Sequence, residues 1–340
     1  MTIKDSPMLA RVLRAAVLRG ASDVHAKAGD VFRARVDGEL VPLTKQLLTT
    51  QQTRALAAMF AGIETDDPRI ETLRDFDCSW GVAGVGRFRV NVLRQRSSFM
   101  MVLRVIPFSV PTPEKLGLPD VVSRFAELRN GLVLVTGRAG SGKTSTIAAM
   151  VHHINRSQKR HIVTLEDPIE YLHRDLTGSI SQRELGTDTD DLATGLQAVR
   201  RQDPDVVVIS ELREPMAIDQ AMLAAEADCL VLAGVTAQDT AGALFQLVAA
   251  APPDERDVYR LRLAGTLRAV VNQRMVFRAG EGGKTRSKEV QVEWVEVTRG
   301  FRDALIKSAD PLPLRKAIAM AAKGGHAELF PDDGDDEDEA

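Results

Sequence analysis

Disulfide chemistry has little to work with in this sequence: 340 residues contain two cysteines, Cys78 and Cys229, far apart in the chain. Two thiols are too few for a disulfide framework or a four-cysteine zinc site, and they suit a reducing compartment. Aromatic residues are also scarce, at 4%, which argues against a base-stacking platform for single-stranded nucleic acid. Basic charge is not in excess either, since 44 Lys and Arg stand against 47 Asp and Glu for a net −3. With no basic domain and no reader motif, nucleic acid is not an expected partner. Long apolar runs are missing. No segment approaches the ~20 residues of a membrane-spanning helix. Near the N-terminus Arg11, Arg14 and Arg19 leave only Ala15–Leu18 uninterrupted, which argues against a secretory signal. The expectation is a cytoplasmic protein with no transmembrane segment.

What is present is ordinary for a globular chain: 44% apolar and 27% charged residues, which excludes disorder throughout. The length suggests about two domains. The charge is unevenly spread. Residues 331–340 hold seven acids and no base, so without them the remainder moves from −3 to +4. Such a block reads as a solvated, disordered tail.

Residues 7–19 are expected to form an amphipathic helix, with Leu9, Val12, Leu13, Ala16 and Val17 on one face and Gly20 at its end. Alternating segments follow to Val41, with a hairpin turn at Asp37-Gly38. A second helix is expected over 49–61, and strands over 76–106. Residues 1–107 thus read as a small mixed α/β domain. Pro107, Pro111, Pro113 and Pro119 mark a linker at 108–119. Beyond it, apolar runs at 132–135, 161–165, 206–209 and 230–233 are each followed by helical sequence. This pattern implies a mostly parallel sheet covered by helices. A hairpin near 280–283, a strand over 289–297 and a helix over 314–322 complete a second domain at 120–322, leaving 323–340 as tail.

The strongest chemical signal is Gly137-Arg138-Ala139-Gly140-Ser141-Gly142-Lys143-Thr144. It matches the phosphate loop of nucleoside triphosphatases in full, between an apolar strand and a helical pattern. Glycines there let backbone N–H groups converge on phosphate oxygens at a helix N-terminus. Lys143 is expected to hold the β- and γ-phosphates, and Thr144 to offer its hydroxyl to Mg2+. Two acidic strand ends accompany the loop. Glu211 follows the run at 206–209, and Glu166-Asp167 ends the run at 161–165. ATP hydrolysis needs one carboxylate to organise the metal and another to activate water.

These motifs resemble those of the twitching-motility ATPases of type IV pili, the PilT/PilU group of the type II and type IV secretion ATPases. The resemblance spans roughly residues 7–300. It rests on Ala21-Ser22-Asp23-Val24-His25, Gly86-Arg87-Phe88-Arg89-Val90-Asn91, the phosphate loop, Thr164-Leu165-Glu166-Asp167-Pro168-Ile169-Glu170, Gln182-Arg183-Glu184, Arg201-Gln202-Asp203-Pro204-Asp205 and Ser210-Glu211-Leu212-Arg213-Glu214. It implies a RecA-like core behind a PAS-like N-terminal domain, with ATP and Mg2+ as ligands. It also implies a homo-hexamer or a mixed ring with a paralogous ATPase, peripheral at the inner-membrane base of the pilus and engaging a platform protein. Glu166 and Glu211 would be the water-activating and metal-organising carboxylates, with Glu211 beside Thr144 at the metal. Among the arginines of the first domain, Arg89 and Arg104 would close over the phosphates.

Three departures stand out. Cys229 and Thr236 occupy the two positions that the family fills with histidines. Ser210 replaces the glycine before the second carboxylate. The C-terminal motif is only partly kept, as Gly300-Phe301-Arg302-Asp303-Ala304-Leu305-Ile306. The expected function is a motor powering pilus retraction. The alternative is a paralogue that binds ATP, turns it over weakly or not at all, and serves as a regulatory or structural ring subunit.

Overall fold

The structure is a computed structural model that describes residues 7–36, 38–106, 110–278, 287–307 and 310–330, with backbone only at 277, 278, 287 and 288. The chain divides into two compact units, residues 1–109 with 170–172 and residues 110–169 with 173–340.

The first unit contains α1 (Pro7–Leu18), β1 (Asp23–Lys27), β2 (Arg33–Val36), β3 (Glu39–Pro42), α2 (Thr50–Phe60), the short α3 (Arg69–Thr72), β4 (Phe76–Val82), β5 (Gly86–Gln95) and β6 (Ser98–Ile106). Its six strands form one antiparallel sheet in the order β3-β2-β1-β6-β5-β4. Only one face of the sheet is apolar. Phe88, Val90 and Val92 of β5 join Leu9 and Leu13 of α1 and Leu56 of α2 in a single core. Arg89 alternates to the exposed opposite face. That period of two is what makes the strands legible in the sequence. The second helix starts as its sequence suggests. Thr49 accepts a hydrogen bond from the Gln52 N–H, and the Gln52 side chain reaches back to the Thr49 N–H, a reciprocal cap. The turn expected at Asp37-Gly38 lies between strands paired through Val36 and Glu39, with Asp37 itself outside the described residues.

The second unit contains α4 (Asp120–Ala126), β7 (Gly131–Gly137), α5 (Lys143–Ser157), β8 (His161–Glu166), β9 (Ser179–Glu184), α6 (Leu192–Val199), β10 (Val206–Ile209), α7 (Pro215–Glu226), β11 (Leu230–Thr236), α8 (Thr240–Ala249), α9 (Arg256–Thr266), β12 (Leu267–Arg278), β13 (Ser287–Glu296), α10 (Arg299–Lys307), α11 (Pro311–Lys323) and β14 (Ala327–Glu328). The eight strands run in the order β14-β13-β12-β7-β11-β10-β8-β9. From β12 to β9 every pairing is parallel, while β13 and β14 are antiparallel additions. Both faces of the sheet are covered, so its central strands are apolar throughout. Leu132 and Leu134 of β7 face one core with Leu196 of α6 and Ile218 of α7. Val133 and Val135 face another, with Phe125 of α4 and Met150 of α5. The mixed α/β first unit and the helix-clad parallel sheet of a RecA-like core agree with the expected fold class.

The structure corrects two expectations. The run at 161–165 is not followed directly by a helix. A loop leads instead to β9, which pairs in parallel with β8, and α6 comes after. The polar sequence Ser-Ile-Ser-Gln-Arg-Glu of β9 shows no apolar run because it is an edge strand. Residues 323–330, expected to be tail, continue the fold. After α11, Ala327 and Glu328 pair with Val295 and Trp294, and Trp294 Nε1 donates to Glu328 at 3.0 Å. Two residues are too few to show a period. Both cysteines are half-buried.

Gly234 sets the closest backbone approach in this sheet. A Cβ added there would sit 2.1 Å from the Ser210 carbonyl oxygen, and Leu212 N–H already donates to the Gly234 carbonyl at 2.7 Å. Gly234→Ala should therefore push β11 from β10 and destabilise the protein by about 1–3 kcal/mol, seen as a lowered melting temperature.

Candidate functional site

The parallel strands end in register, and their ends assemble the site. Gly137 at the end of β7 is paired with Thr236 at the end of β11. Ile209 of β10 pairs with both Ala233 of β11 and Leu165 of β8, so Ser210-Glu211 and Glu166 follow at the same edge. In open α/β sheets this carboxyl edge is where ligands bind.

The phosphate loop is folded as its sequence implies. Gly137, Gly140 and Gly142 all have φ between +77° and +149°, and α5 begins at Lys143 directly after Gly142. At Gly137 a Cβ would lie 2.4 Å from the Gln273 carbonyl oxygen and 2.5 Å from Ser141 Oγ, so no side chain fits there. The Lys143 ammonium reaches across the loop. It donates to the Gly137 carbonyl at 3.1 Å, to the Arg138 carbonyl at 3.4 Å and to Thr236 Oγ1 at 2.9 Å. The Thr236 backbone N–H donates to Glu211 Oε1 at 2.8 Å. One residue therefore connects the loop lysine to the carboxylate after β10.

Glu166 is held differently. It is buried, and its Oε1 accepts from the Thr164 hydroxyl at 2.6 Å and from Gln182 Nε2 at 2.9 Å. Thr164 and Gln182 are register partners in β8 and β9, so the strand pairing fixes the orientation of this carboxylate. Across the sheet, β8 is three strands from β7, roughly 14 Å.

Of the two positions where the resemblance implies histidine, Thr236 is at the phosphate loop. Cys229 immediately precedes the opposite end of β11, roughly 23 Å along the strand, where its thiol donates to the Pro204 carbonyl at 3.0 Å. Burial raises the Cys229 thiol pKa, with Asp205 and Asp228 adding to it. His153 on α5 pairs with Glu127 at 2.9 Å and is engaged away from the loop.

Arg89 and Arg104 are register partners on the exposed face of the first unit's sheet. Arg104 Nε donates to Asp23 at 3.0 Å, and Arg89 lies 4.0 Å from Asp77. Burial opposes ionisation of Asp23, but hydrogen bonds from Ser22 and Arg104 outweigh it and leave the carboxyl below its usual range. Arg94 caps the Ile70 and Leu73 carbonyls, both at 2.9 Å, and lies over the Phe99 ring, a structural role within its own unit.

Strand β12 contributes residues that no motif flagged. Gln273 Nε2 donates to the Ser141 carbonyl at 2.6 Å, and the Thr136 hydroxyl donates to Asn272 Oδ1 at 3.0 Å. Both amides are buried, so they buttress the loop from beneath. The signal was a polar Asn-Gln pair interrupting an apolar run, noticeable only once 267–278 is known to be a strand. Beside the loop lies a hollow of about 660 Å3 lined by Arg138, Ala139, Gly140, Ser141, Gln238, Gln273, Arg274, Met275 and Phe330. Burial raises the carboxyl pKa of Glu293, opposed by hydrogen bonds from Thr240, Asn272 and the Phe330 N–H.

Comparisons with known proteins agree with this geometry. Residues 4–300 match the family model described as type II/IV secretion system protein. The type IV pilus retraction ATPase PilT of Pseudomonas aeruginosa is 36% identical over 276 residues, covering 81% of this chain and 79% of that protein. The type IV pilus ATPase PilU of the same organism is 34% identical over 284 residues, covering 83% and 73%. A crystal structure of the pilus retraction motor PilT with bound ADP superposes with a TM-score of 0.76 at 32% identity, covering 93% of this chain and 89% of that one. On the evidence of its strand-end chemistry and of these matches, the chain belongs to the type II/IV secretion system protein family.

Proposed function

We propose that the protein is an ATP-hydrolysing motor of a type IV pilus that powers retraction, the process behind twitching motility. The observation that carries this reading is the intact phosphate loop with Lys143 aimed across it and tied through Thr236 to Glu211. The relatives that cover most of the chain are named as pilus ATPases, which weighs against a ring subunit without turnover.

The chemistry follows from the arrangement. Backbone N–H groups from Gly137 to Thr144 receive the phosphates at the start of α5. Lys143 exchanges its carbonyl partners for β- and γ-phosphate oxygens. The Thr144 hydroxyl and the Glu211 carboxylate supply the hard oxygen donors that suit Mg2+, and they would hold it with the substrate phosphates. Bound there, the ion would neutralise charge developing on the transferred phosphoryl group. Glu166 orients the attacking water and takes its proton as the bond between γ-phosphorus and the bridging oxygen breaks. Arg89 and Arg104 serve as the cations that offset transition-state charge. In a homo-hexamer or a mixed ring, peripheral to the inner membrane and bearing on a platform protein, this cycle would drive pilus disassembly.

Three substitutions test the assignment. Lys143→Ala should abolish nucleotide binding, measured by fluorescence titration; retained affinity would remove the phosphate loop from the mechanism. Glu211→Gln should leave binding intact and lower steady-state turnover by about 100-fold, whereas unchanged turnover would leave Glu166 alone in the catalytic role. Thr236→Val keeps the N–H bonded to Glu211 and deletes only the hydroxyl. It should lower turnover by about tenfold, the equivalent of one charge-assisted hydrogen bond, with a smaller change in ATP affinity.

A further inference from the structure

Strand β14 lies beyond residue 300, where the family match ends, and the reaction above makes no use of it. The chain nevertheless fastens it closely. Ala327 pairs with Val295, the Trp294 indole donates to Glu328 at 3.0 Å, and the Phe330 N–H donates to the Glu293 carboxyl group. β14 is antiparallel to β13, β13 is antiparallel to β12, and β12 is parallel to β7. From Ala327 to Phe330 the chain therefore advances toward the edge of the sheet that carries the phosphate loop. It delivers there one of the few aromatic rings of a chain with 4% aromatics, and leaves that ring only partly buried.

The ring completes a wall. Arg274 Nε donates to Gln291 Oε1 at 2.8 Å, between register partners of β12 and β13. That bond steadies the guanidinium over the Phe330 ring, 4.5 Å from its centroid. Met275 continues the wall to the loop itself, since a Cβ on Gly142 would lie 3.6 Å from Met275 Cε. Phe330, Arg274 and Met275 line the hollow of about 660 Å3 beside the loop residues Arg138–Ser141, a volume in the range of small-molecule sites. None of the described residues lining it is acidic. Aromatic faces and guanidinium planes are the surfaces on which nucleobases stack, and a thioether packs against aromatic rings.

We propose that this hollow is the base subsite of the nucleotide site, and that Phe330, stacked with Arg274, makes it select purine over pyrimidine nucleotides. The inference rests on the phosphate-loop reading above. A stacking contact grows with the area of the two faces, so a bicyclic base gains more from the ring than a monocyclic one. Such a contact reads the face of a base and not its hydrogen-bonding edge. Adenine and guanine are therefore both accepted, and cytosine and uracil are disfavoured. Because Phe330 is already held by its N–H and by Arg274, little ordering is left to offset the gain.

The test is a set of calorimetric titrations of the full chain with ADP, GDP, CDP, UDP and inorganic pyrophosphate, which carries no base. The full chain should bind ADP and GDP about tenfold more tightly than CDP and UDP. Phe330→Leu keeps apolar bulk at the rim but removes the aromatic face. It should weaken ADP and GDP about tenfold, bring them level with CDP and UDP, and leave pyrophosphate unchanged. Phe330→Trp should retain the purine preference. Equal affinity of the full chain for all four nucleotides would overturn the proposal and leave the phosphate-loop reading intact. Purine affinity unchanged in Phe330→Leu would do the same. An equal loss for all five ligands in Phe330→Leu would also overturn it, since the ring would then be shaping the loop and not meeting the base. Failure of the full chain to bind any of the five would remove the phosphate-loop reading and this inference together.

Discussion

The parallel register of β12, β7, β11, β10 and β8 is the constraint on which everything else depends. No single side chain creates the site. Gly137, Thr236, Ser210-Glu211 and Glu166 come from four different stretches of sequence and lie along one edge because their strands are paired in register. A slip of one residue between β7 and β11 would move the Thr236 hydroxyl from Lys143 and turn the inward residues outward. The two-sided apolar core makes such a slip costly, since Leu132 and Val133 belong to different cores and would have to exchange them.

The sequence was readable wherever a period or a motif was long enough to outlast accident. The strands at 87–92, the helix over 49–61 and the four central apolar strands were all legible, because each expresses one physical demand repeated several times. The phosphate loop was legible because glycine is nearly the only residue that tolerates its backbone. What stayed hidden depends on partners distant in sequence. The edge strand β9 carries no apolar run, β14 is two residues long, and the buttressing of Ser141 by Gln273 joins positions 132 residues apart. The family resemblance singled out Glu166 and Glu211 but said nothing of their different surroundings. One carboxylate is fixed by a β8–β9 pair, and the other accepts from the Thr236 backbone N–H at the end of β11.

The same contrast bears on the departures from the family pattern. The two positions where the resemblance implies histidine, Cys229 and Thr236, are not equivalent in space. Cys229 lies at the far end of its strand and bonds to a carbonyl there. Thr236 stands where a hydroxyl still bridges loop and carboxylate. Against the implied histidine, Thr236 offers no group able to take a proton near neutral pH, while a hydrogen-bonding oxygen remains. Ser210 similarly adds a side chain without disturbing the backbone contact that Gly234 makes with it.

Lysine is among the side chains with most rotamer freedom, worth about 2 kcal/mol when frozen. In this protein the Lys143 ammonium is held by two carbonyls and a threonine hydroxyl. The ordering cost therefore falls on folding, and arrival of a phosphate becomes an exchange of oxygen ligands around an ammonium that does not have to search for its position. Such a site discriminates by how well an incoming oxygen replaces those three.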